Sequence, residues 1–219
     1  MNTTIKSVAC IIISSLCLTG CAGLAYQHMN DPTRDTWQKP QAVLTKLAIM
    51  PGSKVADLGA GGGYFTQYLS GAVGTQGKVY AVDIDDTALD IIKAEISTRG
   101  MSNVLPIRAK ANDAKLPEPV DLVFSSDTYH HIQDRVTYFR SLQRYLKPDG
   151  RVAILDFHPR GFFSGLLGHG TAKEVVRHEM EAAGYRLMAD YDVVKRQHFQ
   201  VFTQRKHDLQ MGSSSLDEV

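Results

Sequence analysis

The sequence predicts an α/β fold: a mostly parallel sheet, helices on both faces, and an antiparallel strand at its C-terminal end. Three observations carry this. Lys54-Val55-Ala56-Asp57-Leu58 is a short apolar run ending near an acid, Gly59-Ala60-Gly61-Gly62-Gly63 is a glycine-dense turn, and a helix-compatible segment follows from Tyr64 to about Ser70; strand, tight turn and helix follow one another. Downstream, short apolar runs alternate with segments of helical period, which implies crossover connections and a parallel sheet. The last two runs, Tyr185 to about Val193 and His198 to about Thr203, have too few residues between them for a crossover and must be antiparallel.

The elements follow in order. Pro40 suits a first helical turn, and Val43, Leu44, Leu47 and Ala48 share one face, with Met50-Pro51-Gly52 ending that helix. Lys78 to Asp83 is a second strand closing on an acid. A helix from Thr87 to about Arg99 shows the stripe Ala88, Leu89, Ile91, Ile92 and Ile96, and Gly100 stops it. Val104 to about Arg108 is a third strand and Asp121 to Ser125 a fourth. A helix is expected over Arg135 to Leu146, closed by Lys147-Pro148-Asp149-Gly150, with a fifth strand over Arg151 to Asp156. Thr171-Ala172-Lys173-Glu174 has the spacing of a capping box opening the next helix, which Gly184 ends. The domain boundaries expected are 1–20 for a leader, 21–38 for a tether and lead-in, 39–206 for the folded domain and 207–219 for a disordered tail. Trp37, the single tryptophan, either covers one end of a site or anchors the lead-in to the core.

With 219 residues, 43% hydrophobic and 21% charged, the chain suits one ordinary domain with a buried core. A net charge of +1 gives no footprint for nucleic acid. The three cysteines, Cys10, Cys17 and Cys21, all precede the expected fold, so the domain itself has no disulfide and no cysteine metal ligand.

Lys6, the run Val8 to Ile13 and the stretch Ser14 to Leu18 form a basic region and a short apolar region, too short for an ordinary membrane span. They end in Leu18-Thr19-Gly20-Cys21. This resembles the bacterial lipoprotein signal, which implies lipidation at Cys21 and a lipid-anchored place in the cell envelope; Ala22 after the cysteine favours the outer membrane, facing the periplasm. Several acyl chains on one cysteine anchor stably, where a single chain is marginal.

The glycine turn selects a ligand class. A dinucleotide fingerprint needs G-x-G-x-x-G, but the sixth position is Tyr64 counted from Gly59 and Thr66 counted from Gly61. The turn reads D-x-G-x-G-x-G through Asp57, Gly59, Gly61 and Gly63. It resembles the first motif of class I S-adenosylmethionine-dependent methyltransferases. The resemblance covers about residues 35–205, lies nearest the quinone and arsenite methyltransferase branch, and implies a Rossmann-like class I methyltransferase sheet with S-adenosylmethionine as cofactor. It implies that Asp57, Gly59, Gly61 and Gly63 cradle the cofactor and that Asp83 accepts from the ribose hydroxyls, with Asp85 as the competing acid. Asn112 and Asp113 would stand by the adenine ring, although Asp113-Ala114-Lys115-Leu116-Pro117 is one residue shorter than the family's pattern.

The stretch Ser125-Ser126-Asp127-Thr128-Tyr129-His130-His131-Ile132 follows the fourth strand, where the family faces the transferring methyl group. Asp127, Tyr129, His130 and His131 are the candidates on that side. One histidine is a candidate general base, the alternative being a structural role at a helix start. Adjacent histidines cannot form the i, i+4 metal pair of a helix, so no metal is expected. Tyr64 and Tyr129 are candidates for cation–π contact with a sulfonium or for core packing. Phe157 to Gly168, glycine-rich and apolar, sits where a substrate lid would, the alternative being a dip into the membrane beside the lipid anchor, and suggests an apolar acceptor. The expectation is a lipid-anchored methyltransferase acting on a small molecule or lipid. The rival is a non-catalytic envelope lipoprotein that keeps the fold as a ligand-binding module, because the donor is made in the cytoplasm and the leader points outward. A nicotinamide-dependent oxidoreductase is disfavoured by Tyr64.

Overall fold

The structure, a computed structural model, describes residues 30–159 and 170–205. The leader with Cys21, most of the expected lid and the C-terminal tail lie outside them. A 3-10 turn, Pro32–Arg34, leads into a short α1 (Asp35–Gln38) and α2 (Pro40–Leu47). Then come β1 (Lys54–Leu58), α3 (Tyr64–Val73), β2 (Lys78–Asp83), α4 (Asp86–Arg99), β3 (Val104–Arg108) and β4 (Val120–Ser126). After a 3-10 turn at Tyr129–His131 follow α5 (Arg135–Leu142), β5 (Leu146–Phe157), α6 (Lys173–Ala182), β6 (Tyr185–Tyr191) and β7 (Gln197–Gln204).

The strands form one sheet in the order β3-β2-β1-β4-β5-β7-β6. Strands β1 to β5 pair in parallel, and β7 joins antiparallel to both β5 and β6. The α/β expectation and its C-terminal hairpin are therefore correct. Strand order reverses between β1 and β4, and the carboxyl ends of those strands are where open α/β sheets bind ligands.

Alternation along the strands divides the core in two. Ala56, Leu58, Tyr80, Val82, Val123 and Ile154 face α5 and α6 through Phe139, Leu142, Val176 and Met180. Val55, Val79, Ala81, Leu122, Phe124 and Leu155 face α2, α3 and α4 through Leu47, Phe65, Leu69 and Ile92. This period-two split is what a sheet covered on both faces requires.

Two local expectations fail. The helix from Arg135 stops at Leu142, passes through a 3-10 turn at Gln143–Tyr145, and Leu146 already opens β5. Lys147 to Gly150 is an irregularity within that strand: Val120 pairs with Leu146 and Leu122 with Arg151. Lys147 Nζ reaches Asp121 Oδ2 at 2.8 Å, and the same carboxylate accepts from Lys54 N at 2.8 Å, so the excursion is tied to the sheet. The capping box does not form either. The N-cap is Ala172, with no side-chain cap bond, because the Thr171 backbone is held elsewhere. Its N–H donates to Asp156 Oδ2 at 3.0 Å, and its carbonyl lies 2.9 Å from His198 Nε2. The Asp85 cap of α4 does form, accepting from Thr87 N at 2.8 Å, and Gly100 ends that helix at φ 65.

Candidate active site

The glycine turn bridges β1 and α3. Gly59, Gly61 and Gly63 have φ of 73, 54 and 89, a left-handed path that other residues adopt reluctantly. Gly63 is the N-cap of α3. Asp57 sits just below, 2% exposed, and accepts from Thr66 Oγ1 of α3 at 2.6 Å. Burial pushes its carboxyl up to about 7; the Thr66 bond opposes the rise, Asp83 adds to it and Arg34 opposes it. Asp83 closes β2 at 9% exposure. Its Oδ2 accepts from Gly61 N at 2.8 Å and its Oδ1 from Asp85 N at 2.9 Å. The second-strand acid therefore grips the glycine turn, and Asp85 is spent on capping α4.

The end of β4 supplies the opposite wall. Asp127 is left-handed, with φ 57. It accepts from Arg34 Nη2 at 2.8 Å, from Gln38 Nε2 at 3.3 Å and from Gln197 Nε2. Burial raises its carboxyl above the usual range while Arg34 pulls it down. Thr128 fits against Gly59, where a Cβ would meet its Cγ2 at 2.2 Å, and its hydroxyl donates to the Gly59 carbonyl at 3.2 Å.

The described part of the lead-in, from Asn30 to Gln38, lies over these strand ends as a strap. Asn30 Nδ2 donates to the Gly62 carbonyl. Tyr64 and Tyr68 donate to Asp35 at 2.6 and 2.7 Å. Gln38 is fully buried and reaches Ser126 Oγ at 3.1 Å. Trp37 stacks on Phe157, ring centroids 5.9 Å apart, so it fastens the strap to the end of β5.

A cavity of about 580 Å³ results, a size usual for small-molecule sites. Its walls bring together Asp57, Gly59, Gly61, Asp83, Asp127 and His131. Of the other candidates Tyr64 also lines the cavity, and the rest lie elsewhere. Tyr129 is fully buried, stacks on Phe139 and donates to Glu179 Oε2 at 2.6 Å, an acceptor it shares with Arg135 Nε at 2.6 Å. It joins α5 and α6 and cannot flank a ligand. The face of Tyr64 is taken by the Arg34 guanidinium, 4.3 Å from the ring centroid. His130 sits beneath the wall, its Nδ1 2.7 Å from Asp156 Oδ1, and its ring lies 4.1 Å from that of His131. After β3 the cavity is lined by Ala109, Lys110 and Ala111. Asn112 is exposed, and the Asp113 carboxylate is taken by Tyr145, Arg144 and Lys115 at 2.8, 2.8 and 2.9 Å, so neither stands by the cavity. Sequence reasoning missed Arg34, Asn30, Gln38 and Thr128. Among the described residues no group of histidines, cysteines and acids could hold a metal ion, and no helix is long and apolar enough to cross a membrane.

Comparison with known proteins agrees with this geometry. The family described as a methyltransferase domain matches residues 56–154. The ubiquinone/menaquinone biosynthesis C-methyltransferase UbiE of Shewanella frigidimarina is 33% identical over 112 residues, which cover 50% of this chain and 45% of that protein. UbiE of Shewanella oneidensis is 34% identical over 109 residues, covering 49% and 43%. The chain thus spans about half the length of the curated relatives it matches. The crystal structure of an S-adenosylmethionine-dependent methyltransferase from Aquifex aeolicus superposes with a TM-score of 0.75 at 26% identity, covering 84% of this chain and 98% of that one. The match begins at β1 and ends within β5, the span that contains the glycine turn, Asp83 and the wall after β4. By that match and this sheet order, residues 56–154 match a methyltransferase domain, and the chain is similar in fold to S-adenosylmethionine-dependent methyltransferases.

Proposed function

We propose that this protein transfers the methyl group of S-adenosylmethionine to a small apolar molecule or lipid, from a place in the cell envelope set by a lipid anchor on Cys21. The observation that carries the methyltransferase reading is the grip of Asp83 on Gly61 N–H: the acid suited to ribose hydroxyls and the turn suited to the donor are one hydrogen-bonded unit. The cavity chemistry fits the donor. Each Asp83 oxygen has one backbone N–H and can accept again. Asp57 offers a buried carboxylate to a cationic amino group.

When bound, S-adenosylmethionine supplies an activated methyl group on a sulfonium. The chain's own task is then alignment and exclusion of water. The strap closes the cavity from the side of Arg34, while Leu58, Val82, Ile132 and Tyr138 give it apolar walls. His131 is the imidazole in the wall that would accept an acceptor proton, and Asp156 fixes the neighbouring His130 ring. An apolar acceptor is supported by those walls and by the quinone biosynthesis named for the UbiE relatives. The envelope location is supported by Lys6, the short apolar run and the Leu18–Cys21 box.

The test is calorimetric titration of the full chain in detergent with S-adenosylmethionine, its demethylated product and NAD, followed by transfer of labelled methyl groups to an envelope lipid extract. Binding of the first two ligands without NAD, and label in the organic phase, are expected. No affinity for either adenosyl ligand would refute the reading in favour of a non-catalytic lipoprotein.

A further inference from the structure

Many of the exposed cations are matched to acids: Lys78 to Glu118, Lys93 to Asp90, Arg99 to Glu95 and Arg177 to Glu181. One face is different. Lys39 is the N-cap of α2, and Lys46 comes seven residues later, about two helical turns, on the same side of that helix. Lys195 and Arg196 stand between β6 and β7. The two segments pack together, since Val194 is buried in the same core as Val43 and Leu47 of α2. Lys46 Nζ lies 5.1 Å from the centre of the Tyr191 ring, and Arg196 Cζ lies 5.2 Å from that of Trp37. All four cations are exposed, and among the described residues none of them forms a salt bridge. Asp192 is the exposed acid of the same turn. Asp35 is turned to α3, where Tyr64 and Tyr68 donate to it.

The position of this face along the chain says what covers it. Trp37 belongs to the strap and Lys39 follows it directly, and Asn30, where the described strap begins, is nine residues beyond Cys21. Nine residues span at most about 32 Å, so an acyl chain on Cys21 holds the strap within that reach of a bilayer. We infer that Lys39, Lys46, Lys195 and Arg196, set around the half-buried rings of Trp37 and Tyr191, rest on an anionic lipid surface, with headgroup phosphates matching the four cations. This rests on the lipid-anchor reading. Lysine and arginine near an anionic membrane are attracted over about a Debye length, and tryptophan and tyrosine favour the headgroup level. An acyl anchor alone leaves the domain free to turn; the basic face fixes which side meets the lipid. Trp37 also neighbours Arg34, whose Cζ is 5.8 Å from its ring centre and which lines the cavity. The docked face therefore borders the active site, and an apolar acceptor held in the bilayer has a short path to it.

Trp37 is the single tryptophan and serves as the probe. The full chain, purified from membranes in detergent, is reconstituted on vesicles doped with a lipid that carries a nitroxide quencher on its headgroup. One set is phosphatidylcholine, the other equal parts phosphatidylcholine and phosphatidylglycerol. Flotation reads the anchor, and quenching of Trp37 fluorescence reads the face. Wild type should float with both sets and be quenched more strongly on the anionic one. That excess should vanish in about 1 M salt, where charges are screened beyond roughly 3 Å. The combined change Lys39→Gln, Lys46→Gln, Lys195→Gln and Arg196→Gln should remove the same excess and leave flotation unchanged. Each variant is compared with itself on the two vesicle sets, so an altered Trp37 environment cancels, and circular dichroism confirms folding. Lys93→Gln with Arg99→Gln, on α4, is the control and should keep the excess. Equal quenching of wild type on both sets overturns the inference and leaves the face to an acidic protein. An excess that survives the fourfold change, or that the α4 control also loses, overturns it too. In each of these cases intact flotation leaves the anchor reading standing. A wild type that floats with neither set overturns the anchor reading and this inference with it.

Discussion

Asp83→Asn separates the two duties of the acid at the end of β2. The carboxylate spans two backbone donors, Gly61 N–H at 2.8 Å and Asp85 N–H at 2.9 Å, at 9% exposure. A carboxamide of the same size has one accepting oxygen and one donating nitrogen. In either orientation its NH2 group faces a backbone N–H, and one hydrogen bond to a charged acceptor disappears. That bond is worth about 1.5–3 kcal/mol. The ribose loses one acceptor as well, so S-adenosylhomocysteine should bind roughly 10- to 150-fold more weakly. Asp83→Ala should lie within about tenfold of Asp83→Asn, because the charge and the paired acceptors are gone in both. Calorimetric titration reads the affinities, and circular dichroism at the same temperature confirms folding. An Asp83→Asn protein that binds like wild type would refute the argument, since it would show that neither the charge nor the second acceptor is used.

Asp85→Ala removes the cap that accepts from Thr87 N and should cost about 1 kcal/mol, a melting shift of roughly 2–4 °C for a chain of this size, with donor affinity unchanged; a large affinity loss would return the ribose role to Asp85. Burial holds the folded Asp57 carboxyl at about 7 against an ordinary 3.8. The stability it contributes while protonated is therefore lost as pH rises from about 4 through about 7. Asp57→Asn should flatten that fall in urea midpoints, and parallel wild-type and variant curves would contradict it. Finally, Cys21→Ala should move the protein from the membrane fraction to the soluble one, and equal soluble recovery of both forms with Met1 intact by mass spectrometry would remove the anchor.

What was legible in the sequence was local. The glycine turn, Asp57 and Asp83 announce themselves because turn chemistry and strand-end acids are properties of a few consecutive residues. The strand runs 78–83 and 104–108 were readable because both their faces are apolar or their ends are marked. Arg34 was not legible, since its meaning depends on Asp127, 93 residues away. The candidates after β4 were read as one group, yet Tyr129, His130 and His131 fall on a 3-10 turn, where successive side chains diverge by a third of a circle. Tyr129 goes to the core, His130 to Asp156 and His131 to the cavity. The capping box at Thr171 failed for a similar reason: a buried acid on β5 outbid the helix for the threonine N–H. Asp113 looked like a ligand contact because its neighbours resemble a family pattern, but Tyr145 and Arg144 from outside that stretch, together with Lys115 within it, claim its carboxylate.

The fit of Thr128 against Gly59 has a consequence for anyone diversifying this protein. A methyl group at position 59 would sit 2.2 Å from Thr128 Oγ1 and Cγ2, and still 2.6 Å from its Cβ. Trimming position 128 to alanine therefore leaves the collision in place, and only glycine there opens the space. Even the double change keeps position 59 at φ 73, which an L-residue occupies at about 1–2 kcal/mol. The two positions, 69 residues apart, form a single unit of heredity. A library that randomises the wall after β4 samples position 128 freely only while 59 stays glycine, and a variant at 59 is relieved of the collision only by glycine at 128. The donor cradle and the acceptor wall therefore cannot drift independently at this one point of contact, however freely the rest of the cavity changes.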